Sequence, residues 1–118
     1  MPGMLQKELT DAGVDVAGIV EKLGMDDDML LYFMKKFLND TNYQQLLDAM
    51  REQDMEAALT FAHTLKGMTG NLGMNRLFQC LEKMVAIFRG QQTGNLEELM
   101  ATVTVEYERI CAVIKKDL

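Results

Sequence analysis

After Pro2 the chain contains no proline, and its apolar residues recur every three or four positions over most of its 118 residues. This spacing is typical of amphipathic α-helices, and no alternating pattern of a half-buried strand competes with it. Since proline breaks helix interiors, nothing after position 2 interrupts the pattern in that way. We therefore predict an all-α fold. A single domain, residues 1–118, should place one or two short extra N-terminal helices before an antiparallel four-helix bundle at about residues 27–117.

The N-terminal part is expected to add short helices to this bundle. Residues 1–3 should form a frayed end. Two short helices at about 4–12 and 14–23, or one interrupted helix, should end at Gly13 and Gly24, because glycine commonly follows the last periodic residue of a helix.

The acidic run 26–28 suits a helix N-terminus, where carboxylates cap free N–H groups and face the positive end of the helix dipole. The helix that follows is predicted to continue through residues 39–42, because the apolar spacing resumes beyond them. A break there, with Thr41 as a new cap, is the alternative.

Three further helices should follow, at about residues 55–72, 75–88 and from 96 to the last turn. Gly73 fits the left-handed position after a helix end. The starts of these helices carry side chains that can cap a first turn: Asp54, Asn75, and Asn95 with Glu98 three residues on.

The first of these three helices holds the segment AHTLKGMTGNLG, residues 62–73, with the only histidine of the chain, His63. At about 100° per residue, Gly70 and Gly67 lie about 20° and 40° from His63 and Lys66 about 60° from it. Two glycines in a helix interior are costly, at about 1 kcal/mol each relative to alanine. The apolar residues fall near the opposite pole of this helix: Phe61, Leu65, Met68 and Leu72. We therefore expect an exposed imidazole on a surface that the two glycines leave clear.

Such a surface suits a phosphoryl group on the histidine ring. Histidine in general titrates near pH 6.5, about where a nucleophile for neutral pH is needed, and it forms covalent intermediates. The Lys66 ammonium is a compact charge that can offset phosphoryl oxygens. Bare backbone at Gly67 and Gly70 lets a second protein approach the ring. We predict His63 as a phosphoacceptor and Lys66 as the residue that stabilises the phosphoryl group.

The run His-Thr-Leu-Lys-Gly at residues 63–67, followed by Gly70 and Gly73, resembles the signature of the histidine-containing phosphotransfer (HPt) domain family. The resemblance implies a phosphorelay intermediate that accepts a phosphoryl group from a receiver-domain aspartate and passes it to another. The implied partners are response-regulator receiver domains and a hybrid sensor histidine kinase. The resemblance further implies a monomer without autonomous kinase activity or a cofactor of its own, with Mg²⁺ bound by the receiver.

One position departs from that family. Many members carry Gln or Glu 22 residues after the histidine, where it can hydrogen-bond the ring, whereas this chain has Val85. Gln79 and Glu82, earlier in the same predicted helix, are the remaining candidates for orienting His63.

The partner surface is predicted around the histidine. Gly67 and Gly70 should admit the partner. Met55 and Leu59 lie about 80° and 40° from His63 in the helical projection. They are either core residues at the bundle edge or an apolar patch that binds the partner.

Charge and composition exclude other classes. A formal net charge of −6 argues against a nucleic-acid binder, which would show a basic patch. No apolar run is long enough to span a membrane, and no apolar signal-peptide region is present. We expect Cys80 and Cys111 to be reduced, mostly buried thiols of a cytoplasmic protein, and the chain length favours a free-standing one.

Two other interpretations stay open. A non-catalytic adaptor would keep the bundle and use its surface for binding only, and Val85 leaves room for it. An enzyme or metal protein built in the bundle core is disfavoured, because such metal sites draw several Glu and His from facing helices and this chain has one histidine. We therefore expect no metal site in the chain.

Overall fold

The computed structural model describes residues 3–116, and at Gly3 and Met4 the backbone alone. Helices account for nearly all the regular structure in that range, and one isolated antiparallel bridge joins Val14 to Met74. The predicted all-α fold is confirmed. The helices are α1 (Gly3–Asp11), α2 (Val16–Leu23), α3 (Asp27–Asn39), α4 (Asn42–Arg51), α5 (Met55–Asn71), α6 (Asn75–Phe88) and α7 (Leu96–Lys116).

Helices α4 to α7 form the four-helix bundle. Each packs against the next along the chain across a short connection, which is the arrangement of an antiparallel bundle. Contacts between α4 and α7 close the ring of helices: the rings of Tyr43 and Tyr107 stack with centroids 3.9 Å apart. The Tyr43 hydroxyl also donates a hydrogen bond to Thr104 Oγ1 at 2.9 Å.

The N-terminal helices contribute to the core of the bundle. Helix α1 packs against α7, and Lys116 Nζ lies 3.2 Å from Glu8 Oε1. The segment before α2 is tied to the turn between α5 and α6, because the Asp15 N–H donates to the Gly73 carbonyl at 2.8 Å. Six apolar side chains from this part are buried: Leu5, Leu9, Ala12, Val14, Val16 and Ile19.

The expected frayed end at residues 1–3 lies outside the described residues except for Gly3, which is the first residue of α1. The prediction of two short N-terminal helices is confirmed, and they are separate. Gly13 has φ +92° and Gly24 φ +62°, so both lie in the region that favours glycine.

The prediction of a continuous helix through residues 39–42 is wrong. Asp40 is extended, with φ −72° and ψ 143°, and α4 begins two residues later. The Asp40 carboxylate accepts hydrogen bonds from the Asn42 backbone N–H at 2.8 Å and from Asn42 Nδ2 at 2.9 Å. Such a local side-chain turn competes with the helix for the backbone donor. The break that we gave as the alternative is therefore present, but its cap differs. Thr41 holds the cap position without a side-chain cap bond, and the Asp40 carboxylate binds the free backbone N–H instead.

Of the three side chains predicted to cap α5, α6 and α7, two are confirmed. The Asp54 carboxylate accepts from the Ala57 N–H at 3.1 Å, and Asn95 Oδ1 accepts from the Glu98 N–H at 3.1 Å. The Asn75 prediction is wrong, because Asn75 is the first helical residue of α6 and Met74 occupies the cap position without a side-chain bond.

Candidate functional site

Helix α5 carries the predicted site and is fixed at both ends. It starts at the Asp54 cap and is followed by Gly73, whose φ of +65° confirms the predicted left-handed position. A Cβ on Gly73 would lie 2.8 Å from Ile19 Cγ1 and 3.1 Å from the Asp15 carbonyl oxygen. Only glycine therefore lets α2 pack this closely against the end of α5.

The buried face of α5 is rotated slightly from the predicted one. Leu65 is buried as expected, but Phe61 and Met68 are only half-buried. Three of the four buried side chains of α5 are small ones, which let the neighbouring helices approach closely: Ala58, Ala62 and Thr69. Thr69 is the only buried polar side chain among the described residues, and its hydroxyl donates to the Lys66 carbonyl at 3.0 Å.

His63 lies on the opposite face and is exposed. Lys66, three residues further on and half-buried, shares that face because residues three apart are neighbours on a helix. Among residues 3–116, neither side chain makes a hydrogen bond or an ion pair. Both the imidazole and the ammonium are therefore available to a ligand from outside.

No side chain in the described residues orients the imidazole. Val85 is 2% exposed and belongs to the core. Gln79 and Glu82 are exposed and form no hydrogen bond to His63. Position 85, where the resemblance implied a hydrogen-bond partner for the ring, is thus filled by an apolar side chain that packs inward.

The two glycines near the ring have different surroundings. A Cβ on Gly67 would meet no atom within 4 Å, so this part of the surface is open. A Cβ on Gly70 would lie 3.2 Å from the ring carbons Cδ2 and Cε2 of Phe78 on α6. Gly70 therefore also serves close packing between α5 and α6, in addition to the partner access predicted for it.

The two apolar residues proposed for partner contact also differ. Leu59 is half-buried and packs against the core, which places it at the bundle edge. Met55 is 40% exposed at the first position of α5, where it lines a shallow pocket at the end of the bundle with Met50 and Leu96. A role in partner binding stays a prediction for both residues.

Sequence analysis missed a groove that is lined in part by helix α5. A cavity of about 550 Å³ lies between the end of α2, α3 and α5, with Phe33, Phe37 and Met68 among its lining residues. No local pattern could have shown it, because its walls come from three helices that only the packing brings together.

The described residues offer no group of three or more His, Cys, Asp or Glu side chains that could hold a metal ion. Both cysteines are free thiols. Burial raises the pKa of Cys80 and of Cys111, which keeps them protonated. None of the described helices is long and apolar enough to cross a membrane.

The described part of the chain is thus a helical bundle that presents an exposed histidine beside a lysine, and neither side chain has a hydrogen-bond partner within it. The family model of the Hpt domain matches residues 36–113, about two thirds of the chain. The chain therefore belongs to the Hpt domain family, as its motif predicted. Hpt domains are histidine phosphotransfer modules that interact with receiver domains and kinases in phosphorelays.

The match covers α4, α5, α6, most of α7 and the end of α3, and it leaves α1 and α2 outside. Neither the curated proteins nor the solved structures with which the chain was compared gave a match.

Proposed function

We propose that this chain is a phosphotransfer protein of a multistep two-component phosphorelay, with His63 as the phosphoacceptor. The observation that carries the proposal is the exposed imidazole without an internal partner, next to the open surface at Gly67, in a chain that belongs to the Hpt domain family. An imidazole buried in the core would not be accessible to a receiver domain.

In the proposed reaction a ring nitrogen of His63, Nε2 in our proposal, attacks the phosphorus of a receiver aspartyl phosphate. The N–P bond forms as the bond from phosphorus to the carboxylate oxygen breaks, and the carboxylate leaves with the electron pair. The second ring nitrogen gives its proton to solvent. Transfer to the next receiver runs these steps in reverse, and a new aspartyl phosphate forms.

Positioning and electrostatics account for most of such a transfer. Lys66 would offset the charge on the phosphoryl oxygens, and Mg²⁺ would come with the receiver. The ring must be aligned by the docked receiver, because no described residue of this chain holds it. We propose no kinase activity of its own, and a cytoplasmic monomer as the acting form.

The test is phosphoryl transfer from a receiver domain phosphorylated with acetyl phosphate and Mg²⁺. Wild type should take an acid-labile, base-stable label, and His63→Gln should take none. Lys66→Ala should slow transfer by about tenfold or more, since one charged hydrogen bond contributes about 1.5–3 kcal/mol. Lys7→Ala, an exposed lysine on α1, is the matched control and should transfer at the wild-type rate.

A non-catalytic adaptor is the second candidate, and the inward-packed Val85 is the observation in its favour. An adaptor would bind its partner equally well with His63→Gln and would carry no label. If wild type and His63→Gln bind receivers equally well and neither takes the label, the relay is contradicted and the adaptor is supported.

A further inference from the structure

The junction between α3 and α4 is short, and the side chain of Asp40 holds it. Asp40 is extended, at φ −72° and ψ 143°, and its carboxylate accepts from the Asn42 backbone N–H at 2.8 Å. Thr41, which follows it, holds the cap position of α4 without a side-chain cap bond. The break between the two helices therefore depends mainly on one local side-chain turn.

The buried stripes of α3 and α4 would point in different directions on one straight helix. In a helical projection that starts at Leu30, the buried residues of α3 centre at about 10° and those of α4 at about 160°. These residues are Leu30, Met34 and Phe37 on α3, and Tyr43, Leu46 and Ala49 on α4. The stripes are thus about 150° apart, so a straight helix over residues 27–51 could not bury both against the same bundle.

The broken junction lets both stripes reach the same helix of the chain, α7. The ring centroid of Tyr107 on α7 lies 5.5 Å from that of Phe37 and 3.9 Å from that of Tyr43. On a straight helix the α4 stripe would still face its own bundle, whereas the α3 stripe would face away from it. A second copy of the chain, placed on that other side, offers the α3 stripe the same α7 surface.

The part of the chain before the junction, residues 3–39, forms an arm that packs on α7 and on the turn between α5 and α6. Lys116 Nζ lies 3.2 Å from Glu8 Oε1 of the arm, and the Asp15 N–H donates to the Gly73 carbonyl at 2.8 Å. A second copy presents the same α7 and the same turn. Each of these contacts can therefore form between two chains as well as within one.

We propose that the α3–α4 junction is a hinge, and that straightening it lets two copies of this chain exchange their N-terminal arms. In the exchanged dimer the arm of one chain packs on α7 of the other, and Asp40 becomes an interior residue of a long helix. Only the two hinges differ from the monomer, which makes such exchange a low-cost route to dimers. The monomer prevails at low concentration, because association costs translational and rotational freedom.

The first test removes the turn at the hinge. Asp40→Ala deletes the carboxylate that accepts from Asn42 and places a strong helix former at the junction. After refolding from urea at high protein concentration, its dimer association constant should exceed that of wild type by about a hundredfold, tenfold for each hinge. Asp54→Ala is the matched control, since Asp54 also caps a bundle helix through its carboxylate, and it should associate as wild type does. Analytical ultracentrifugation measures the three constants.

A second variant closes the hinge. Proline favours an extended residue before it, which Asp40 already is, and it breaks a helix interior. The Thr41 N–H donates no hydrogen bond within the described residues, so Thr41→Pro removes none. Asp40→Ala/Thr41→Pro should therefore be monomeric under the conditions in which Asp40→Ala forms dimers. If the double variant dimerises as strongly as Asp40→Ala, the straightened hinge is contradicted.

A carbodiimide crosslink distinguishes arm exchange from ordinary association, because it joins Glu8 and Lys116 through an amide. In the exchanged dimer this amide links two chains. Asp40→Ala dimers refolded from a mixture of ¹⁵N-labelled and unlabelled chains should therefore yield Glu8–Lys116 peptides with one labelled and one unlabelled half. Lys116→Ala in the same background should remove these peptides and leave the dimer in place.

Two results would overturn the exchange. One is an Asp40→Ala protein that associates no more strongly than wild type. The other is a dimer whose Glu8–Lys116 peptides always carry a single isotope, since its arms would then pack on their own chains. None of these experiments measures phosphoryl transfer, and His63 on α5 lies outside the arm. The exchange and the proposed relay can therefore fail separately.

Discussion

The ring of Phe78 on α6 lies against Gly70 on α5, so close that a Cβ on Gly70 would stand 3.2 Å from two of its carbons. Gly67, one turn away on the same helix, faces open space. The two glycines beside His63 thus have separate reasons for lacking a side chain.

The glycine pair therefore predicts different effects on stability. Gly67→Ala should raise the free energy of unfolding by about 1 kcal/mol, because alanine favours an exposed helix interior. Gly70→Ala should raise the free energy of unfolding by less than this, or lower it, because the Phe78 ring must shift. Urea denaturation measures the stability of both variants. In a Phe78→Leu background, which lacks the ring, Gly70→Ala should stabilise the protein about as much as Gly67→Ala does. Equal gains from the two single variants would show that the ring does not resist the added methyl group.

Gln53, in the connection between α4 and α5, has φ +57°, the only positive φ at a non-glycine position in the described residues. Gln53→Gly should raise the free energy of unfolding by up to about 1 kcal/mol, because the left-handed conformation costs other residues about 1–2 kcal/mol. The control is the reverse substitution, from glycine to another residue at a position with positive φ. Gly90→Ala, at φ +72° with no atom near its Cβ, should lower stability by about 1 kcal/mol or more. The prediction fails if Gln53→Gly destabilises the protein.

Leu9 on α1 is fully buried, although it lies outside the part of the chain that the Hpt family model matches. Leu9→Ala should lower the free energy of unfolding by about 2–5 kcal/mol, the usual cost of such a cavity. Leu23→Ala, at a position 52% exposed, should change it by less than about 0.5 kcal/mol. A small effect at both positions would mean that α1 does not belong to the folded core in solution.

Alkaline pH should destabilise the fold. Burial raises the pKa of the Tyr107 phenol and of the Cys111 thiol above their ordinary values, which are near 10 and 8.5 in an unfolded chain. Above those values the unfolded chain loses protons that the folded chain keeps. Stability is therefore complete below about pH 8.5 and falls as pH rises toward the folded pKa values.

Denaturation in urea between pH 7 and pH 11 measures this loss. Tyr107→Phe should make the decline above about pH 10 shallower, because it removes one of the three groups whose pKa burial raises, the others being Cys80 and Cys111. Tyr32→Phe, at an exposed tyrosine, should leave the profile unchanged. A profile that stays flat to pH 11 would contradict the prediction.

Much of the fold and the centre of the site followed from local sequence. Helix periodicity, the caps at Asp54 and Asn95 and the left-handed Gly73 depend on bonds within a few residues, so they could be predicted. The exposure of His63 also followed, because one helical projection decides which face is apolar.

Only the tertiary structure decided what surrounds the histidine. The apolar spacing on both sides of residues 39–42 suited one helix, and the Asp40 turn overrode it. The inward packing of Val85, the contact of Phe78 with Gly70 and the groove at Met68 join residues from different helices. A local stretch of sequence determines where a helix forms and which of its faces is apolar. Which residues then pack against each face depends on contacts between segments far apart in the sequence.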